Sequence, residues 1–416
     1  SRLPARFEVM TDFIGFRCLE CNREYRPGEV EYVCPACGGN LDVLYDYERI
    51  GRKLSKAVLA ADHNFSMWRY RALLPIEDSS PVPPLAVGWT PLYDAPRLAA
   101  EFGVRQLLVK DDGRNPTASF KDRPSALAVV KAREAGANMA TTASSGNAGA
   151  ALAGLCASAG MKSAIFVPAT TPAAKVAQLQ IYGAMVVLVE GSYEQACKLC
   201  LAASARYGWY QRTTGHNPYT AEGKKTAAFE IAEQLNWQVP DRILVGVGDG
   251  NIIGGLWKGF CDLRRMGWID RLPMLTGVQA VGASPLVDAV NGDGVIRPVE
   301  GRTVADGINV GDPRDGTRAL RAMRDSKGGA VKVSDDEIIA AIPRLARATG
   351  VFAEPGAAAA FAGFVKLREA GAIKSDERVV LVITGNGLKD INTARRSAGE
   401  PLRIEPDIAE LDKLRV

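Results

Sequence analysis

The sequence has 416 residues, of which 47% are hydrophobic and 24% are charged, a composition typical of a globular protein with two or three domains. Its 51 basic and 47 acidic residues leave a formal net charge of +4, which excludes the strong basic bias typical of nucleic-acid and membrane-surface partners. Because no apolar run reaches about 18 residues and the first residues lack an apolar core, we predict neither a transmembrane helix nor a secretory signal.

Four of the eight cysteines form one cluster near the N-terminus. The cluster reads C-x2-C, twelve residues, C-x2-C, a spacing that presents four thiolates tetrahedrally and predicts a closed structural zinc site in a ribbon over residues 1–49. Iron is the alternative metal, and strands are predicted at 31–33 and 41–45. The expected ligands are Cys18, Cys21, Cys34 and Cys37.

The other cysteines are scattered, and those at 197 and 200 fall in one predicted helix as packed thiols. A disulfide framework is therefore not expected, and a reducing cytoplasm is the predicted location. The ribbon loops are acidic, which favours a stabilising appendage over a nucleic-acid-binding module.

Residues 50–96 contain six prolines and predict an extended linker. Short apolar strands then alternate with helices, which indicates an α/β protein with mostly parallel sheets. The stretch 291–334, rich in glycine and aspartate, predicts a loop over the site. Strands are predicted at 106–110, 139–143, 163–167, 185–189, 243–247, 274–281 and 379–384. Helices are predicted at 96–102, 122–134, 147–159, 172–182, 193–207, 222–235, 252–266, 335–349 and 356–370.

Lys121 lies at a loop-to-helix boundary in the stretch 115–123, Asn-Pro-Thr-Ala-Ser-Phe-Lys-Asp-Arg. A lysine held there against an apolar pocket would have a lowered pKa and a nucleophilic amine. Two further loops, at 143–149 and 246–251, join a strand to a helix, where free backbone N–H groups suit a carboxylate or a small phosphate. Thr384 follows the last strand, at the sheet edge where α/β proteins bind ligands.

Taken together, these motifs resemble the threonine synthase branch of the tryptophan synthase β-type enzymes (fold type II), which use pyridoxal 5′-phosphate (PLP). The resemblance runs from about residue 88 to residue 395, and some members of that branch also carry an N-terminal zinc ribbon. The segments that carry it are 115–123, 144–147, 217–226, 257–260, 352–355 and 384–390.

The resemblance implies a two-domain PLP fold and a homodimer. The larger domain would comprise residues 97–136 and 216–395, and a small α/β domain over 137–215 would be inserted in it. Residues 396–416 would form a C-terminal tail.

The resemblance also implies a role for each site residue. Lys121 would form an imine with PLP and then move protons on the substrate carbons. Asn147 would contact the 3′ oxygen of the cofactor, and Thr384 its pyridine nitrogen; a hydroxyl there disfavours transamination and favours elimination or replacement at Cβ or Cγ. The cofactor phosphate would lie on Gly246, Gly248, Asp249, Gly250 and Asn251. The substrate would lie on Ser144, Ser145, Gly146, Ala148 and His216.

The sequence departs from the family where the phosphate of O-phosphohomoserine would bind. Thr220 replaces an arginine, Gly215 replaces a serine, and Ala148 replaces a hydroxyl residue, while the shortened phosphate loop contains Asp249. Each charged hydrogen bond lost is worth about 1.5–3 kcal/mol, so the leaving group is open. The candidate replacements are Arg123, Lys224, Lys225 and His216.

The leading prediction is a threonine-synthase-like lyase that acts on a small amino acid. The alternative is a serine- or threonine-type ammonia-lyase or a β-replacement synthase with another leaving group, since Ala305–Ile308 mildly resembles the deaminating branch. A non-catalytic PLP-fold binding protein is the alternative from a different class. Glu354 is interpreted either as lying behind the cofactor or as a cap of helix 356–370.

Overall fold

The computed structural model describes residues 12–408 and residue 410. The first eleven residues of the predicted ribbon, and residues 409 and 411–416 of the predicted tail, lie outside the described residues. The described chain contains three sheets, of three, six and four strands.

The three-stranded sheet belongs to the N-terminal ribbon. Its strands β1 (Phe13–Cys18), β2 (Glu24–Tyr25) and β3 (Leu41–Tyr45) are antiparallel in the order β2-β1-β3. The strand predicted at 41–45 is confirmed and the one at 31–33 is wrong. Only a single bridge joins Val33 to Asn40, because the chain turns at once into the second cysteine pair, where Cys34 N–H donates to Gly39 O.

The proline-rich segment is less extended than predicted, because two short helices, α1 (Tyr47–Lys53) and α2 (Lys56–Ala61), lie at its start. Asp46 and Ser55 cap their first turns with side-chain oxygens, and such caps define helix starts. Strand β4 (Leu92–Asp94) then joins the large sheet antiparallel to its neighbour.

The two other sheets follow the predicted alternation. The large sheet has the order β12-β11-β10-β13-β5-β4, and the smaller sheet has the order β8-β7-β6-β9. Every pair except β4–β5 is parallel. The strands are β5 Gln106–Asp111, β6 Met139–Ala143, β7 Lys162–Pro168, β8 Met185–Val189, β9 Tyr210–Gln211, β10 Arg242–Gly246, β11 Met274–Ala280, β12 Ala330–Val333 and β13 Arg378–Ile383.

The predicted helices are all present, with ends that shift by at most a few residues. They are α3 Pro96–Phe102, α4 Asp122–Glu134, α5 Asn147–Ser158, α6 Ala173–Ile181, α7 Tyr193–Tyr207, α8 Tyr219–Gln234, α9 Asn251–Arg265, α10 Pro285–Asn291, α11 Gly316–Asp325, α12 Asp335–Thr349, α13 Pro355–Glu369 and α14 Ile391–Ala398. The loop predicted at 291–334 is wrong in part, because it contains α11 and the edge strand β12. No helix in the described part of the chain has the length and apolarity to cross a membrane.

A buried ion network fixes the start of α4, directly after Lys121. The guanidinium of Arg123 is completely buried and donates to Asp112 at 2.6 Å and to Glu230 at 2.5 Å. Lys110 donates to the same Glu230 at 2.7 Å. Both carboxylates are therefore paired, which a buried charge requires, and the loop before α4 is tied to α8.

Candidate active site

Lys121 is held where the loop after β5 meets the loop after β13. Phe120 N–H donates to Thr384 O at 2.8 Å, and Asn386 N–H donates to Ala118 O at 3.1 Å. Ser119 and Gly385 form the bridge between these bonds. Because both loops leave the carboxyl ends of parallel strands, the lysine stands at the sheet edge where α/β folds bind ligands.

The amine of Lys121 has an unusual acidity for a lysine. Burial, reinforced by the guanidinium of Arg212, lowers its pKa from 10.5 to about 8, against the opposing pull of Asp249 and Glu354. About a tenth of such a group is a free amine at pH 7, compared with well under a thousandth for an ordinary lysine. Lys121 is therefore suited to attack a carbonyl carbon.

Glu354 faces Asn147, and its contacts rule out the interpretation of this side chain as a helix cap. The Asn147 amide donates to its carboxylate at 2.8 and 3.0 Å, and its side chain does not cap α13. Burial raises the pKa of Glu354. A Cβ on Gly385 would lie 2.1 Å from Glu354 Oε1, so only glycine lets the loop after β13 pass this carboxylate.

The loop after β6 offers a row of accessible groups beside Lys121 and Glu354. Residues 144–148 are all half-buried, whereas Ala143 and Gly149 on either side are buried. Gly146 occupies the cap position of α5, and its N–H donates to Ser144 Oγ at 3.3 Å. The first N–H groups of α5 are thus available to an anion at this end of the helix. The residues in this row are Ser144, Ser145, Gly146, Asn147 and Ala148.

The glycine loop after β10 is shaped by close packing on both sides. A Cβ on Gly246 would lie 2.1 Å from Gly356 O, and one on Gly248 would lie 3.0 Å from Val310 Cγ2. Gly250 has φ +90° and caps the long helix α9. The loop therefore presents the N-terminus of a helix, which attracts small anions.

Asp249 stands in this loop, but its groups are turned toward the backbone that precedes α11. Arg314 N–H donates to its Oδ1 at 3.3 Å, and Asp315 N–H donates to its carbonyl at 3.0 Å. Next to it, Asn251 donates to Asp315 at 2.5 Å and accepts from Lys224 at 2.5 Å. A cation thus lies beside the helix N-terminus and offsets the charge of Asp249.

The four suggested replacements for the missing phosphate donors have different surroundings. Arg123 is occupied by Asp112 and Glu230, and Lys225 by Glu222 and Asp262 at 2.6 and 2.7 Å. Both are therefore engaged in buried ion pairs, although Arg123 lies in the first turn of α4, directly after Lys121. Lys224 contacts Asn251, and His216 stacks on Tyr32 of the ribbon with ring centroids 4.8 Å apart.

One functional candidate, Arg212, is missing from the sequence interpretation. It directly follows strand β9, and its N–H donates to Thr141 O in the neighbouring strand β6. Its position could have been found as the only charged residue in the polar run that follows the short strand Tyr210–Gln211. Strand β9 is only two residues long, which is too short to be recognised as a strand from the sequence, so the residue that follows it was not identified as part of a site.

The four clustered cysteines bring their sulfurs close enough together to hold one metal ion. The sulfurs of Cys18 and Cys37 are 3.5 Å apart, those of Cys21 and Cys34 are 3.7 Å apart, and all four lie within 4.8 Å of one another. Zinc–sulfur bonds of about 2.3 Å place tetrahedral sulfurs about 3.8 Å apart. Tyr25 Oη lies 3.0 Å from Cys34 Sγ, a second contact of the kind that orients thiolate ligands.

The sequence pattern of a family described as "Pyridoxal-phosphate dependent enzyme" matches residues 84–385. The threonine synthase of Methanocaldococcus jannaschii is 41% identical to this chain, and the alignment covers 96% of this chain and 98% of that enzyme. That of Methanosarcina acetivorans is 42% identical over 94% of this chain and 96% of its own.

Solved structures share the α/β architecture. Threonine deaminase isoform 2 from Solanum lycopersicum has a TM-score of 0.64 at 23% identity and covers 90% of this chain and 98% of its own. Maize serine racemase has a TM-score of 0.64 at 22% identity, with coverages of 74% and 91%. At such identities the likeness concerns the fold alone.

Proposed function

Because this chain belongs to the family of pyridoxal-phosphate dependent enzymes, we propose that it acts as a threonine synthase, converting O-phospho-L-homoserine and water into L-threonine and phosphate. One structural observation carries the proposal. The Lys121 amine has a pKa lowered to about 8 and stands where the loops after β5 and β13 meet, at the carboxyl ends of parallel strands. The two methanogen relatives, matched over nearly their whole length, support the threonine-synthase-like reaction.

The residues at this site fit PLP. Lys121 supplies the amine, the loop 246–251 and the N-terminus of α9 suit its phosphate, and Asn147 and Thr384 would contact its ring. The cofactor, when bound, withdraws electrons from the substrate carbons. The chain supplies position, charge and proton transfer.

In the proposed mechanism, each group acts at a stated atom of the substrate. Lys121 takes the proton from Cα and later returns protons to the carbon chain. The backbone and hydroxyls of residues 144–148 hold the carboxylate. A proton also leaves Cβ, the bond from Cγ to the phosphate oxygen breaks, and the hydroxyl of a water molecule adds at Cβ. Cγ gains a proton to become the methyl group of threonine, Cα regains its proton, and the remaining proton goes to the departing phosphate. The water thus provides the hydroxyl, and the leaving phosphate carries the displaced charge.

A deaminating activity is the second candidate, and the family's missing phosphate donors favour it. Thr220 donates its hydroxyl to Asn217 O at 2.8 Å and is buried in the first turn of α8. A Cβ at Gly215 would lie 2.7 Å from Arg314 Cβ, so a serine does not fit there. With these donors replaced, a substrate without phosphate becomes the competing choice.

Incubating the PLP-loaded protein with O-phospho-L-homoserine tests the proposal. We expect phosphate and threonine in equal amounts. Formation of ammonia with 2-oxobutanoate from L-threonine, or with pyruvate from L-serine, and with no phosphate released from O-phospho-L-homoserine, would instead establish the deaminating candidate. If none of these substrates reacts, the protein would be a binding protein of the same fold.

The lowered pKa of Lys121 makes a prediction on pH dependence in the PLP-free protein. Acetic anhydride acylates only neutral amines, and an amine is neutral above its pKa. The labelling of Lys121 should therefore rise about tenfold per pH unit and level off near pH 8. Mass spectrometry of the peptide measures it, with exposed Lys327 as the internal reference. A plateau that begins only near pH 10 would contradict the burial of this amine.

Several further features belong to the proposal. The cysteine cluster would hold structural Zn²⁺, and its sulfur spacing supports this. The small domain would comprise residues 137–215, a range that contains all four strands of the smaller sheet. We also propose that the protein is a cytoplasmic homodimer. Its substrate would be a small amino acid, and it would bind neither nucleic acid nor a membrane.

A further inference from the structure

Arg212 has a guanidinium group whose hydrogen-bonding capacity is not used up by the protein. The residue has 0% of its surface exposed. Its Nε donates to Ser125 Oγ at 3.1 Å and its Nη1 donates to Thr214 Oγ1 at 3.0 Å. Its Nη2 is buried with no hydrogen-bond partner among the described residues. A buried, charged donor without an acceptor is costly, so it indicates a ligand that supplies one.

The surroundings of Arg212 carry an excess of positive charge. Lys121 and Lys224 each feel the charge of Arg212 as a repulsion, and Asp249 is the carboxylate that attracts all three. Among the described residues, no carboxylate oxygen lies within 4.0 Å of Arg212 or Lys224 nitrogens. Asp122 and Tyr193 add smaller attractions to Arg212. Glu354, Asp315 and Asp122 each attract one of the three groups as well, yet neither Arg212 nor Lys224 has a carboxylate at ion-pair distance, so the site can take up an anion from outside the chain.

Two of these cations belong to the cofactor side of the site. Lys224 contacts Asn251, the first residue of α9, and Lys121 is the amine itself. The glycine loop and the helix N-terminus lie there as well, so a cofactor phosphate would take up this part of the charge.

Arg212 lies on the other side, with the smaller sheet. Its N–H donates to Thr141 O at 2.9 Å, and Thr141 stands in β6, the strand that leads into the half-buried residues 144–148. Ser125, whose hydroxyl accepts from Arg212 Nε, lies one helical turn after Lys121. Its backbone N–H donates to Lys121 O at 3.2 Å. Arg212 therefore faces the space between the substrate loop and Lys121.

We propose that Arg212 binds the phosphate group of the substrate and replaces the arginine that the family carries at the position of Thr220. This inference rests on the proposed function and names the residue that recognises its leaving group. Thr220 cannot serve because its hydroxyl is directed to Asn217 O. Arg212 directly follows β9, whereas Thr220 lies in the first turn of α8. The guanidinium therefore reaches the site from the smaller sheet and not from the helix.

The test uses the PLP-loaded full chain and three variants. Arg212→Gln removes the charge, and Arg212→Lys keeps it but loses the planar pair of donors. Arg242→Gln is the matched control. Arg242 is another buried arginine, but it lies at the amino end of strand β10, away from the site at the carboxyl ends of the strands, and it pairs with Glu377 at 2.8 Å. Three affinities are measured, for inorganic phosphate, L-threonine and PLP, together with kcat and KM for O-phospho-L-homoserine.

We expect Arg212→Gln to weaken phosphate binding and to raise KM by about 30- to 100-fold, with a smaller loss for Arg212→Lys. The affinities for L-threonine, which carries the carboxylate but no phosphate, and for PLP should remain unchanged. Arg242→Gln should lower thermal stability and leave all three affinities as they are.

Other results would overturn the inference. An equal loss of L-threonine affinity would assign Arg212 to the carboxylate, a loss of PLP affinity would assign it to the cofactor, and unchanged phosphate affinity would leave it without a ligand role. If the wild type does not turn over O-phospho-L-homoserine at all, the proposed function fails separately. If the phosphate affinity of that protein still depends on Arg212, Arg212 would bind the phosphate group of another phosphorylated amino acid.

Discussion

Replacing Lys121 with alanine is expected to abolish turnover, with a loss of kcat of at least about 10⁴-fold. The amine has two tasks, attachment of the cofactor and proton transfer at the substrate carbons, and its lowered pKa of about 8 suits both. The loop itself should keep its shape, because the hydrogen bonds that hold it run through the backbones of Ala118 and Phe120. Stopped assays of threonine formation measure the loss.

Two controls separate chemistry from folding. Lys327→Ala, at an exposed position, should retain full activity. Lys121→Ala should unfold at a temperature no lower than that of the wild type in the PLP-free form, because burying a lysine is unfavourable and alanine removes that cost. If the alanine variant keeps more than about a hundredth of the wild-type rate, another residue is the base and the proposed mechanism is wrong.

The sequence was sufficient for much of the architecture because local patterns dominate in parallel sheets. Runs such as Ile243–Val245 and Val379–Ile383 are buried on both faces and consist of apolar residues, so they are recognisable without their partners. Helix α11 was missed because the glycines and aspartates of the stretch 291–334 predicted a loop, although α11 itself carries several arginines. Those arginines contact the ribbon and the loop that precedes α11, which a linear pattern does not reveal.

The site was predicted in outline, and its electrostatics were not. The loops at 115–121, 144–147 and 246–251 carry recognisable glycine, serine and proline signals. The contact of Asn147 with Glu354 spans 207 positions in the chain, and the approach of Arg212 to Lys121 depends on the pairing of β9 with β6. Such contacts between distant positions follow from the packing of two sheets, and no local spacing encodes them.

The ribbon is joined to the glycine loop by a chain of hydrogen bonds. Asn40 donates to Asp315 Oδ1 at 2.7 Å and to Arg314 O at 2.7 Å. Asp315 in turn accepts from Asn251, the first residue of α9, at 2.5 Å. Arg318 adds a parallel connection, because it donates to Asp42 at 2.6 Å and to Asp315 at 2.9 Å. The cysteine cluster thus stabilises the segment that positions the proposed phosphate loop.

We therefore expect Cys34→Ser to lose zinc and to weaken PLP binding by about 10- to 100-fold. Cys34 is buried, and without a closed metal site the loops that carry the two cysteine pairs lose their main constraint, including the turn that leads to Asn40. Asn40 and Asp42 would then release Asp315 and Arg318, and the first turn of α9 would lose its support. Metal analysis gives the zinc content, and the absorbance of bound cofactor gives the PLP affinity.

Asn40→Ala is the matched variant, because it removes the connection without touching a metal ligand. It should keep the full zinc content and lose part of the PLP affinity, by about tenfold. Arg17→Ala, which removes an exposed ribbon ion pair with Glu24, should change neither quantity. If Cys34→Ser loses its metal and retains wild-type PLP affinity, the ribbon is a separate appendage, and the hydrogen bonds through Asp315 do not transmit its order to the site.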